Sequence, residues 1–108
     1  VGDWRAVPQT RAMYSELVRE VHAIALARGI FVPDEDVQFV MQLPDRLEPE
    51  ATMSLQRDIA QGRPSELEQQ LGFVVRAGRE AGMNAAISSF IYHSLLPGEL
   101  RARAKAAN

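Results

Sequence analysis

Cysteine is missing from these 108 residues, so the chain can form no disulfide, present no thiol nucleophile and bind no metal through thiolate. Lysine is nearly missing too: Lys105 is the one example, against eleven arginines. Aromatic residues make up only 6%, and no apolar run comes near the ~20 residues that a membrane-spanning helix needs. No signal-peptide pattern opens the chain. Two signatures of nucleotide binding are absent as well, a Gly-x-Gly-x-x-Gly turn after a strand and a Walker-type glycine loop. Charge of one sign is scarce. The formal net charge is -2 and the arginines are scattered, which argues against nucleic acid or an anionic membrane as partner. His22 and His93 lie far apart and in no metal-ligand spacing, so no metal site is expected and both read as packed or surface helix residues. A chain without cysteine fits the cytoplasm.

The hydrophobic share of 46% and the charged share of 24% are those of an ordinary globular domain, and the length suits one domain. Every apolar periodicity is that of a helix, and no segment alternates as a strand would. An all-α fold of five or six helices with short loops is therefore expected. Pro8 suits the first turn of the longest helix and Gly29 the residue past its end, with Met13, Leu17, Val21, Ile24 and Ala25 forming one stripe between them. Pro33-Asp34 opens a second helix with Asp34 as its cap and Pro44 as its boundary. After the polar linker Asp45 to Glu48, Pro49 begins a third helix that runs to about Gln61, with Gly62 as a left-handed terminator.

Ser65-Glu66-Leu67-Glu68 reads as a capping box, in which the Ser65 hydroxyl accepts from the amide three residues on and Glu68 reaches back to the Ser65 amide. The fourth helix turns Leu67, Leu71, Val74 and Val75 inward and ends at Gly82. Asn84 is expected to cap a fifth helix carrying Ile87, Phe90, Ile91 and Leu95, closed by Pro97 or Gly98. Residues 100–108 read as a frayed tail.

Chemistry concentrates in one stretch. Ser54 and Asp58 stand one helical turn apart, then Gly62-Arg63-Pro64 makes a corner, and Glu66 follows at the start of the next helix. A serine hydroxyl can donate to a carboxylate, so such a corner can orient a small anion. Asp58 can pair with Arg63 and so fix where Glu66 points. On the residues alone, a plainer alternative stays open: Ser54 facing solvent, Asp58 in a surface ion pair of at most ~1 kcal/mol, and Glu66 complementing a helix dipole.

The order Ser54-Leu55-x-x-Asp58, then Gly62-Arg63-Pro64-Ser65-Glu66-Leu67, then Gly72, resembles the C-terminal domain of ketopantoate reductase (2-dehydropantoate 2-reductase). Gly2-Asp3-Trp4 with Pro8, the segment Glu20 to Gly29, and Ala77 to Gly82 extend the resemblance along nearly the whole chain. It implies that Ser54 contacts a substrate carboxylate. It also implies that Glu66 serves the active site, binding substrate or holding a catalytic lysine, and that Asp58, Arg63 and Gly72 are structural. The reaction implied is an NADPH-dependent hydride transfer to a 2-oxo acid in the pantothenate pathway, with the cofactor on a separate N-terminal Rossmann domain. The family's general-acid lysine lies on a helix before the present start, and Lys105 matches no such position. The chain begins at Val1 and reads as a piece of a longer enzyme, inactive alone. Two alternatives are carried: a self-associating helical module using apolar faces such as Phe73, Phe90 and Ile91, and a family member acting on a different 2-oxo substrate. A homodimer fits either.

Overall fold

A computed structural model describes residues 1–108 as helices and connecting turns, with no strand. The helices are α1 (Gly2–Arg5), α2 (Pro8–Ala27), α3 (Asp34–Arg46), α4 (Ser54–Ala60), α5 (Phe73–Glu80) and α6 (Ala86–Ala107), and a π-helical turn, Glu68–Gly72, leads directly into α5. The long helix α2 is the spine, packing against α1, α3, α5 and α6. It begins at Pro8 and ends before Gly29, as its sequence predicts. Ile24 of α2 meets Ala77 and Ala85 in the core, with Val74 and Met83 packed around them. Small residues matter there. A Cβ on Gly78 would stand 3.2 Å from both Ala85 Cβ and Ile24 Cδ1, so glycine is what lets α5 lie this close to α2.

The start of α6 is secured from across the fold. Glu20, in the middle of α2, accepts from the amides of Ile87 (3.0 Å) and Ser88 (2.8 Å) and from the Ser88 hydroxyl (2.7 Å). A helix N-terminus leaves its first amides unpaired and carries a partial positive charge, so a carboxylate answers both needs. The expected cap, Asn84, is exposed and makes no capping bond; Ala85 occupies the cap position.

Both interior prolines depart from expectation. Pro44 lies inside α3, not at its end, and is fully buried. A proline at that position removes the N–H that the Val40 carbonyl would have accepted from, and the Tyr14 hydroxyl donates to that carbonyl instead, at 2.6 Å. Arg5 then ties down the end of α3 by donating to the carbonyls of Pro44 and Leu47, each at 2.6 Å. Asp34 is the first helical residue of α3 and not its cap, which is Pro33. Pro97 likewise does not close α6. The carbonyl four residues back belongs to the exposed His93, and the helix runs on to Ala107. Residues 100–107 are therefore helical where a frayed tail was expected. Glu99 and Ala102 are buried along that stretch.

The third helix is shorter than expected and starts at Ser54, not Pro49. The Gly2 amide donates to the Pro49 carbonyl at 2.9 Å, and a turn at Ala51 closes onto Glu48, so residues 49–51 spend their polar groups outside any helix. The capping box does not form either. The Ser65 hydroxyl accepts from Leu67, two residues on, at 3.2 Å, while Glu68 turns away to other partners.

The result is thin. The chain measures 45 × 36 × 21 Å with a radius of gyration of 15.0 Å, against about 13 Å for a compact domain near this length. Only 12 residues are buried, so the helices form a slab with broad faces open to solvent.

Candidate functional site

Ser54 is the first residue of α4, a helix that packs only lightly on the others. Its side chain is exposed and makes no hydrogen bond within the chain. One turn later Asp58 is only partly exposed, and its Oδ1 accepts from Arg63 Nη2 at 2.9 Å, the pair the sequence suggests. The backbone fixes the same corner. Gly62, at φ +69°, donates to the Ile59 carbonyl and Arg63 to the Asp58 carbonyl, a Schellman closure that needs a residue free to adopt the left-handed region. Asp58 and Arg63 are thus joined by a main-chain and a side-chain bond.

Beyond the corner the chain turns Glu66 outward. Its neighbours Ser65 and Leu67 are both buried, Leu67 completely, while Glu66 between them is exposed and without a side-chain partner. Ser65 is held by Glu99, which accepts from the Ser65 amide (2.9 Å) and hydroxyl (2.7 Å). Arg103 completes the clasp by donating to Glu99 at 3.0 Å and to the Ser65 carbonyl at 3.0 Å. Sequence reasoning missed Glu99, because a helix thought to stop at Pro97 gives Glu99 no partner to find.

Gly72 sits in a second cluster. Glu68 accepts from Arg76 (2.9 Å) and from the Tyr92 hydroxyl, which joins the π-helical turn to α5 and α6. The hydroxyl of Tyr92 and then the guanidinium of Arg76 hold the Glu68 carboxyl below its ordinary range, and the bond to Glu68 in turn raises the Tyr92 hydroxyl. A Cβ at Gly72 would come within 2.8 Å of Glu68 Oε2 and 3.1 Å of Tyr92 Cε1, so glycine leaves the space this cluster occupies. Glu20 behaves differently. Partial burial pushes its carboxyl up, but hydrogen bonds from the Ser88 hydroxyl and the Ser88 and Ile87 amides outweigh that and leave it below the ordinary value.

Neither Ser54 nor Glu66 lines any of the four principal clefts of the chain. One of these, an apolar groove of about 320 Å³ between α2 and α3, is lined by His22, whose buried Nε2 has no hydrogen-bond partner. No group of acidic or histidine side chains is placed to hold a metal. The chain has no strand and no glycine-rich turn of the Rossmann type.

Residues 1–98 match the family model described as ketopantoate reductase PanE/ApbA C terminal. The chain belongs to that family. The chain is also 30% identical over 86 residues to a 2-dehydropantoate 2-reductase of Nostoc sp., a match covering 80% of this chain and 27% of that protein. The fold is shared with a dimeric ketopantoate reductase from Staphylococcus aureus at a TM-score of 0.84 and 23% identity, over 91% of this chain and 34% of that one. The all-helical class and the family resemblance expected from the sequence are thereby borne out. The chain spans about 27% and 34% of the length of these two relatives.

Proposed function

We propose that this chain is the substrate-side domain of an oxidoreductase that reduces a 2-oxo acid to a 2-hydroxy acid, with 2-dehydropantoate as the substrate and NADPH as the hydride source. The observation that carries the reading is a contrast among neighbours. Asp58, Arg63, Ser65 and Glu68 each spend their side chains on partners within the chain, whereas Ser54 and Glu66 are exposed and spend theirs on none. Polar side chains held outward beside a rigid corner are available to a ligand arriving from another domain, and ligand sites commonly lie between domains.

In this reading the Ser54 hydroxyl donates to the substrate carboxylate and orients it. Glu66, fixed by the buried residues on either side, hydrogen-bonds the substrate or positions the lysine that protonates the new alkoxide. Asp58, Arg63 and Gly72 hold the frame. Dinucleotide and lysine both come from the N-terminal part of the parent enzyme, so the isolated chain is inactive, and the parent works in the cytoplasm. No helix here is long and apolar enough to cross a membrane. In the intact enzyme, Ser54→Ala should raise KM about tenfold while kcat stays within about twofold, because a carboxylate contact is made equally in ground and transition states. Steady-state constants identical to those of the unaltered enzyme would remove Ser54 from the site.

Self-association is a second part of the reading, favoured by Phe73 and Phe90 at 56% and 75% exposure. The S. aureus relative is dimeric, and a homodimer is proposed here too. Light scattering over a dilution series should give a mass that falls toward the monomer only at low concentration; a monomer throughout would exclude it.

A further inference from the structure

The cleft beside the Gly62 corner is unlike the rest of the surface. It holds about 270 Å³, and Gly62, Arg63, Glu99, Arg101 and Lys105 are among the residues that line it. Three cations face one hollow in a chain whose net charge is -2. The acids near them are already committed: Asp58 to Arg63, and Glu99, 3% exposed, to Ser65 and Arg103. Arg101 and Lys105 make no ion pair and no side-chain hydrogen bond. The C-terminal dipole of α6 accounts for a lysine in its last turn. It does not account for Arg101 a turn earlier, nor for Arg63 arriving from a different element. Arg101 and Lys105, four residues apart, share a helix face only because α6 continues through Pro97 and Gly98. Both lie beyond residue 98, where the family match ends, whereas Gly62 and Arg63 on the other wall lie within it.

We propose that this cleft binds a small phosphate-bearing anion, which Arg101 and Lys105 contact from α6 while Arg63, paired with Asp58, lines the opposite wall. Arginine offers planar donor pairs that match phosphate oxygens, and lysine adds a point charge. Asp58 is occupied by Arg63, and Glu99 by Ser65 and Arg103, which leaves Arg101 and Lys105 as the unpaired cations for a ligand. The site stands apart from the reductase reading, since it needs neither Ser54 nor Glu66.

Titration calorimetry of the 108-residue chain with pyrophosphate tests the site directly. Saturable binding at one site per chain is expected, weakened about tenfold or more in Arg101→Gln/Lys105→Gln and in Lys105→Glu alone. Arg79→Gln, an exposed cation outside the cleft, should bind as the unaltered chain does. Thermal melts of the variants should stay within a few degrees of that chain, since the altered side chains lie on the surface and only the dipole contact of Lys105 is lost. Absence of saturable binding would overturn the proposal, as would equal weakening by Arg79→Gln, which marks diffuse charge attraction. Malonate bound as tightly as pyrophosphate would overturn the phosphate assignment.

Discussion

Glu20 and Gly72 show how single side chains carry this fold. Glu20 replaces the local cap that α6 lacks, and does so from another helix. Glu20→Gln should cost about 1–2 kcal/mol in chemical denaturation at neutral pH, the range of a lost charged cap. The sign with pH comes from its lowered carboxyl: the stabilisation is complete above the ordinary glutamate value and is lost as pH falls through the lower folded value. The gap between the two proteins should therefore close on acidification below that ordinary value. A gap that persists in strong acid would show that charge is not the cause. Gly72→Ala should push Glu68 away from Tyr92, and the Tyr92 hydroxyl, resolved by NMR titration, should fall back toward ordinary tyrosine. An unmoved Tyr92 would mean that the cluster tolerates the methyl group. At this scale the sequence was legible where a residue acts on near neighbours: the Asp58–Arg63 pair and the Gly62 turn could both be read from spacing. Glu20 and Glu99 act over 68 and 34 residues, and spacing says nothing at that range.

The helices themselves were mostly visible in advance, because apolar stripes and glycine ends are local signals. Their boundaries failed at proline. Pro44 and Pro97 would end isolated helices, since each removes a hydrogen bond and crowds the carbonyl four residues back, yet both helices continue, and the Tyr14 hydroxyl takes up the Val40 carbonyl that Pro44 leaves. Continuation past Pro97 is favoured by what the later turns bury, chiefly Glu99 on the Ser65 amide and hydroxyl. Glu99→Ala should release both elements at once, at a cost of about 2–3 kcal/mol for a buried charged hydrogen-bond set. Hydrogen exchange should then speed up at residues 65–67 and 99–107 while α2 keeps its protection. Uniform acceleration along the chain would show global unfolding and no local clasp. The lightly packed α4 is the opposite case. It carries Ser54 and contributes little to the core, the balance expected where an element faces something outside the chain.

As a whole, the molecule is a slab whose open faces and thin core suit a domain that leans on another. The exposed Ser54 and Glu66, the free apolar side chains of α5 and α6, and the match to part of longer reductases all agree with that. Most direct is a comparison of NADPH oxidation with 2-dehydropantoate by the intact enzyme and by these 108 residues alone. The account predicts steady turnover by the intact protein and none above buffer by the isolated chain. Turnover by the chain alone, or an intact protein that reduces neither 2-dehydropantoate nor any other 2-oxo acid in a panel, would contradict it.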